Sequence, residues 1–177
     1  MKKLLLLFFV ICAAAPAVNA QLYAGGSLSA WVKDINSEET ATVTFLPEAG
    51  FAISDRWAFG TVLGYTHRYT RNDRDIKVTT QTFEFAPYAR FSFYRTERVR
   101  LFVDGGFSLY SNKAGEADRT NTFSAGLKPG IALNLSEKIS LIAKVGFLGF
   151  DRFNEDDRAY GFTIDGNGLS LGAYYAF

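Results

Sequence analysis

The chain of 177 residues lacks most of what usually stabilises a small exported protein. It has one cysteine, Cys12, so no disulfide can form within it and no cysteine metal site is available. A single histidine, His67, removes the His clusters on which zinc chemistry depends. Net charge is missing too: 19 Lys and Arg against 18 Asp and Glu give +1, a balance with no field to steer the chain onto nucleic acid. Beyond residue 20 no apolar run is long enough to cross a bilayer as a helix, and no stretch keeps a period of about 3.6 over several turns. The mean hydropathy of +0.01 excludes a bundle of transmembrane helices. It does not exclude a membrane.

Met1-Lys2-Lys3, the apolar stretch from Leu4 to Ala15 and Val18-Asn19-Ala20 have the charged start, apolar core and small-residue cleavage site of a secretory signal. The expected organisation is a cleaved leader at 1–20 and one domain at 21–177. Loss of Lys2 and Lys3 leaves 17 cations against all 18 anions, a net charge of −1, and no cysteine. Bulky Phe9, Val10 and Ile11 before Cys12 disfavour a lipoprotein. Something other than disulfides must hold the mature fold.

What is present is alternation. From 43 to 53 the odd positions are Val43, Phe45, Pro47, Ala49, Phe51 and Ile53, while Thr44, Leu46, Glu48, Gly50 and Ala52 stand between them. Trp57, Phe59, Leu63 and Tyr65 continue the bulky set against Ala58, Gly60, Gly64 and Thr66, and Phe83, Phe85, Phe91 and Phe93 do so against Thr82, Glu84, Arg90 and Ser92. Period two puts the sets on opposite faces of a strand. Eight such segments are expected, at 22–32, 42–53, 57–69, 80–94, 99–111, 121–135, 139–150 and 163–177. Short turns at 54–56, 95–98 and 136–138 alternate with long polar loops at 33–41, 70–79, 112–120 and 151–162, the pattern of an up-and-down meander. Pro47, Pro87 and Pro129 sit at equivalent places in three repeats, each followed by a turn and a strand carrying Gly64, Gly106 or Gly146. Proline cannot donate to a ladder, so a repeated local bend is expected.

A soluble sandwich would bury the bulky face; a transmembrane barrel would turn it to lipid and fill its lumen with the small and charged face. The segments run to roughly 11 to 15 residues, against about 5 to 6 for typical strands and about 9 to 11 for a tilted membrane strand. The second face is poor in volume, as a narrow lumen requires. An eight-stranded antiparallel up-and-down transmembrane β-barrel is the expected fold. Aromatic girdles then fall at Phe51, Trp57, Phe59, Phe93, Tyr175 and Phe177 near the turns, and at Tyr65, Tyr69, Phe83 and Phe123 near the loops. The phase of its strand turns Trp31 inward.

The proline repeat, the Ser-Asp and Ser-Glu turns, the returning strands ending Gly64-Tyr65 or Gly146-Phe147, and the closing Leu169-Ser170-Leu171-Gly172-Ala173-Tyr174-Tyr175-Ala176-Phe177 resemble the outer membrane protein beta-barrel domain family, porin-like small barrels widespread in Bacteroidetes-type bacteria. The architecture is similar to that of OmpX and of the OmpA membrane domain. The resemblance implies residence in the outer membrane of a Gram-negative cell, with periplasmic termini and recognition of the last strand by the barrel assembly machinery. The family shares a scaffold and no common chemistry.

Seven charges fall on the inward face: Glu48, Glu84, Asp104, Arg90, Arg100, Lys128 and Lys144. Glu48, Arg90, Asp104 and Lys144 stand about five to six residues from the turns and Lys128 about eight, so strand tilt can bring all five together near mid-barrel. Paired, hydrogen-bonded charges are tolerated inside, which makes a structural plug the expected arrangement. A small porin-like channel is the alternative and requires the network to rearrange. An enzyme acting on lipid A would need a serine, a histidine and a carboxylate at the rim, and His67 lacks local partners of that kind. No enzymatic role, cofactor or metal is expected; Asp151, Glu155, Asp156 and Asp157 lack ordered calcium-loop spacing. Arg68, Arg71 and Arg74 can bridge lipopolysaccharide phosphates or serve as ordinary solubilising loop charge. The expected partners are outer membrane lipids and lipopolysaccharide, with no nucleic acid, and the chain is expected to be a monomer.

Overall fold

The alternating segments close into an antiparallel barrel. The structure, a computed structural model, describes residues 21–35, 38–71, 77–115, 118–152, 158–163 and 170–177. The expected leader, Arg74 and the loop acids Glu155, Asp156 and Asp157 lie outside the described residues, as does the facing of the Trp31 side chain. The strands are β1 (Gln21–Ile35), β2 (Glu38–Ala52), β3 (Trp57–Arg71), β4 (Lys77–Arg95), β5 (Val99–Ala114), β6 (Thr120–Asn134), β7 (Ile139–Lys144), β8 (Phe147–Arg152), β9 (Arg158–Thr163) and β10 (Ser170–Ala176). β7 and β8 both pair with β6 and make up one barrel strand, while β9, paired with β8, and β10, paired with β7, occupy the next position, so the barrel is eight-stranded. Pairing of β1 with β10, from Tyr23 opposite Ala176 to Ser27 opposite Gly172, closes it.

Burial is inverted relative to a soluble domain. Leu28, Val32, Leu63, Phe83, Phe93 and Leu148 are each at least 50% exposed, whereas Glu48, Arg90 and Asp104 are buried. Among the described residues, Phe102 is the one large side chain with essentially no exposure. A face this apolar is stable only against an apolar solvent, which a bilayer supplies. Outward rings pair directly across the ladder: Phe51 with Phe59, Trp57 with Phe91 at 4.9 Å between centroids, and Tyr65 with Phe83 at 5.1 Å.

The three short turns share one device. Ser54 Oγ accepts from the Trp57 amide at 3.1 Å, Thr96 Oγ1 from Val99 at 2.9 Å, and Ser136 Oγ from Ile139 at 3.1 Å. Each hydroxyl satisfies an amide that the turn would otherwise strand. The prolines also act alike, since each interrupts pairing with the strand that follows. The β2–β3 ladder runs from Phe45–Tyr65 to Glu48–Val62 without pairs at Leu46 and Pro47, and the β4–β5 ladder skips Ala86 and Pro87. At Pro129 the effect is largest. Val145, Gly146 and Phe147 oppose only Lys128 and Pro129, a bulge with Gly146 at φ +68°.

This bulge corrects the expected single segment at 139–150. It reverses the side-chain phase, so Lys144 and Phe147 both line the lumen while Leu148 points out. The long loops are corrected as well. Strands expected to end near 111 and 150 continue to Ala114 and Arg152, and the 151–162 loop is largely the β8–β9 hairpin, paired from Phe147–Thr163 to Arg152–Arg158. A ladder in water satisfies its backbone without apolar alternation, so the hydrophobic pattern stops before the strand does. Replacing Gly146 by Ala forces a side chain into the left-handed region; a loss of about 1–2 kcal/mol is expected in urea unfolding of the protein folded into lipid vesicles.

Candidate functional site

The most concentrated chemistry lies across the middle of the lumen. Arg90 on β4 and Asp104 on β5 are direct cross-strand partners. The Arg90 guanidinium meets the carboxylate with two bonds, Nε to Oδ1 at 2.6 Å and Nη2 to Oδ2 at 2.8 Å. Nη2 also reaches Glu48 Oε1 and Tyr174 Oη, each at 3.3 Å. From the far wall Lys144 Nζ bridges both acids, 3.0 Å from Glu48 Oε2 and 3.1 Å from Asp104 Oδ2. Two carboxylates and two cations thus form a closed, charge-neutral cluster. Such charges are tolerated where every one is paired and hydrogen-bonded.

Aromatic residues complete it. Tyr88 donates to Glu48 and hydrogen-bonds Tyr23 at 2.6 Å, while the Arg90 guanidinium carbon lies 4.1 Å from the Phe102 ring centroid. Each ring rests on a glycine directly across the ladder: Tyr23 on Gly50, Tyr88 on Gly60, Phe102 on Gly130 and Tyr174 on Gly25. A Cβ at Gly60 would stand 2.6 Å from Tyr88 Cζ, and one at Gly130 2.7 Å from Phe102 Cε2. The motif of inward charges did not include Tyr23, Phe102 and Tyr174. The signal that marks them is the row of inward glycines, which leaves room for a ring from the neighbouring strand.

Of the seven inward charges, the structure brings Glu48, Arg90, Asp104 and Lys144 together and leaves three apart. Lys128 is opposite Asp104 in register but makes no ion pair with it; its Nζ lies 5.9 Å from the Phe147 centroid. Lys128, Glu84 and Asp151 line a 390 Å³ cavity on the loop side of the cluster. Arg100 lines a separate 650 Å³ cavity on the turn side. Glu48 and Lys144 border the first cavity, and Arg90 the second, so the cluster stands between them.

At the loop end of β3 Arg68 and Arg71 are exposed, Arg68 in the inward phase of Gly64 and Thr66 and Arg71 in the outward phase of Tyr65 and His67. His67 is half-buried on the outer face with Val43 and Gln81 as cross-strand neighbours, while Ser108 is buried on the inner face. Among the described residues no group of three or more His, Cys, Asp or Glu is arranged to hold a metal ion.

Two ion pairs of this barrel differ in setting and therefore in weight. Arg95 and Asp55 meet at 2.6 Å with side chains 52% and 90% exposed. Arg90→Met is expected to cost about 3–5 kcal/mol in vesicle-based urea unfolding, because it leaves two buried carboxylates to one lysine. Arg95→Met is expected to cost about 0–1 kcal/mol.

The comparisons agree with this architecture. The profile of the family described as outer membrane protein beta-barrel domain matches residues 4–177. Neisserial surface protein A is similar in structure, with a TM-score of 0.53 and 14% identity over 89% of this chain and 96% of that one. Ail, the attachment invasion locus protein of Yersinia pestis, solved in complex with the heparin analogue sucrose octasulfate, is similar with a TM-score of 0.51 and 17% identity over 89% of this chain and 97% of that one. Comparison with curated proteins finds no match. An inverted eight-stranded barrel matched along nearly its whole length makes this chain a member of the outer membrane protein beta-barrel domain family, resident in the cell outer membrane.

Proposed function

We propose that this protein is a closed, monomeric, non-enzymatic barrel that presents its loop-end face to partners at the cell surface, with both termini in the periplasm. The observation that carries the closed state is the neutral cluster of Glu48, Arg90, Asp104 and Lys144 standing between two lumen cavities. Ions crossing the barrel would have to separate buried charges held by seven short polar contacts or pass the rings of Phe102, Tyr88 and Tyr174, and neither has a low-energy route in so narrow an interior. In planar bilayers the wild type is expected to give no steady conductance. Lys144→Met is expected to lower thermal stability and still not conduct, since the rings remain. Large wild-type channels would establish the porin-like alternative instead.

At the loop end Arg71 and Lys77 are exposed directly opposite one another in the ladder and Arg68 is exposed three residues below, opposite Thr80; such cations suit lipopolysaccharide phosphates. The structural likeness to Ail, solved with a polyanion, supports a search for anionic surface ligands there. The outward alternation of Leu171, Ala173, Tyr175 and Phe177 suits reading by the barrel assembly machinery. For the non-enzymatic role the support is His67, whose cross-strand neighbours offer neither a nucleophile nor a carboxylate. Deleting residues 71–78 is expected to reduce outer-membrane retention and raise detergent sensitivity, measured by fractionation and growth; unchanged values would dispose of the lipopolysaccharide contact. His67→Ala is expected to leave whole-cell lipid A unaltered by mass.

A further inference from the structure

The turn-side cavity of 650 Å³ holds a second electrostatic feature that the closed-barrel reading does not use. Its lining includes Arg90, Arg95, Arg98, Arg100 and Lys138, with Glu97 and Glu137 as its acids. Arg90 is committed to Asp104 and Glu48, and Arg95 to Asp55. Arg100 differs from both: its Nε is buried and has no hydrogen-bond partner. Arg95 stands directly opposite it in the β4–β5 ladder and Arg90 lines the same cavity, both cations like itself. Its cross-strand neighbours are Arg95 and Ala132, so no acid faces it from either flanking strand. Arg100 is half-buried, and holding its Nε away from water without a partner beside like charge is costly, so packing alone would favour an apolar or neutral side chain here.

We propose that this cavity is a binding site for a small oxyanion, a phosphate or carboxylate group, with Arg100 as its principal ligand and Arg98 and Lys138 at the rim. A guanidinium offers planar, paired donors that suit such groups, and the cavity has the volume of ordinary ligand sites. The group can come from a free anion entering the turn-end mouth or from the headgroup of an anionic lipid in the adjacent leaflet.

The test uses the whole protein folded into phosphatidylcholine vesicles, with unfolding in urea followed by gel mobility. Inorganic phosphate is titrated against chloride at constant ionic strength, which separates binding from screening. The wild-type midpoint is expected to rise with phosphate and saturate. Arg100→Gln is expected to abolish the response while leaving the phosphate-free midpoint equal to or above that of the wild type. Should that variant fail to insert, Arg100→Lys, which keeps the charge and loses the fork, is expected to bind phosphate about tenfold more weakly. Vesicles containing phosphatidylglycerol identify the source: protection of the wild type but not Arg100→Gln, without added phosphate, assigns the site to a lipid headgroup. A wild type that responds alike to phosphate and chloride in both vesicle types, or an Arg100→Gln protein that keeps the full response, overturns the proposal. The outcome is independent of conductance, so the site and the closed lumen stand or fall separately.

Discussion

The guanidinium of Arg90 organises the interior of this barrel. Its two bonds to Asp104, its contacts to Glu48 and Tyr174, and the Phe102 face beneath it occupy the positively charged fork from several walls at once. A membrane barrel must keep its bulky residues for lipid, so its interior has few apolar side chains to pack. The buried apolar set among the described residues is confined to Ala58, Ala86, Phe102, Ala132, Ile142 and Tyr174. Cohesion across the lumen therefore depends on charges that neutralise one another. Removing any one leaves its partners uncompensated, which is the expensive half of a buried ion pair.

Backbone features serve the same end. Inward glycines on β1, β2, β3 and β6 let the rings of Tyr174, Tyr23, Tyr88 and Phe102 lie flat against the neighbouring strand. These rings fill the space around the cluster and place the Tyr88 hydroxyl on Glu48. The bulge at Val145 and Gly146 reverses the phase of the seventh barrel strand after Lys144. Lys144 and Phe147 then share the lumen, one facing the acids and the other beside Lys128.

The barrel was legible because period two acts on every strand: Phe83, Phe85, Phe91 and Phe93 face one way whatever their neighbours do. The tight turns were legible because Ser54, Thr96 and Ser136 bear the hydroxyls they use. Strand ends were not, since Lys77, Lys113, Ala114 and Arg152 extend ladders into water where no hydrophobic pattern marks them. Inward placement of the charges could be read one strand at a time. Which of them meet could not, because Lys128 is nearer in register to Asp104 than Lys144 is, yet Lys144 makes the bond. That choice depends on side-chain direction across the lumen, which spacing along one strand does not contain.

The central claim is that the four charges act as one coupled unit. A double-mutant cycle on Asp104→Asn and Lys144→Met, measured as urea-unfolding free energies in vesicles, tests it most directly. The account predicts that the double variant loses less than the two singles combined, by about 1–3 kcal/mol. Additive losses would contradict it.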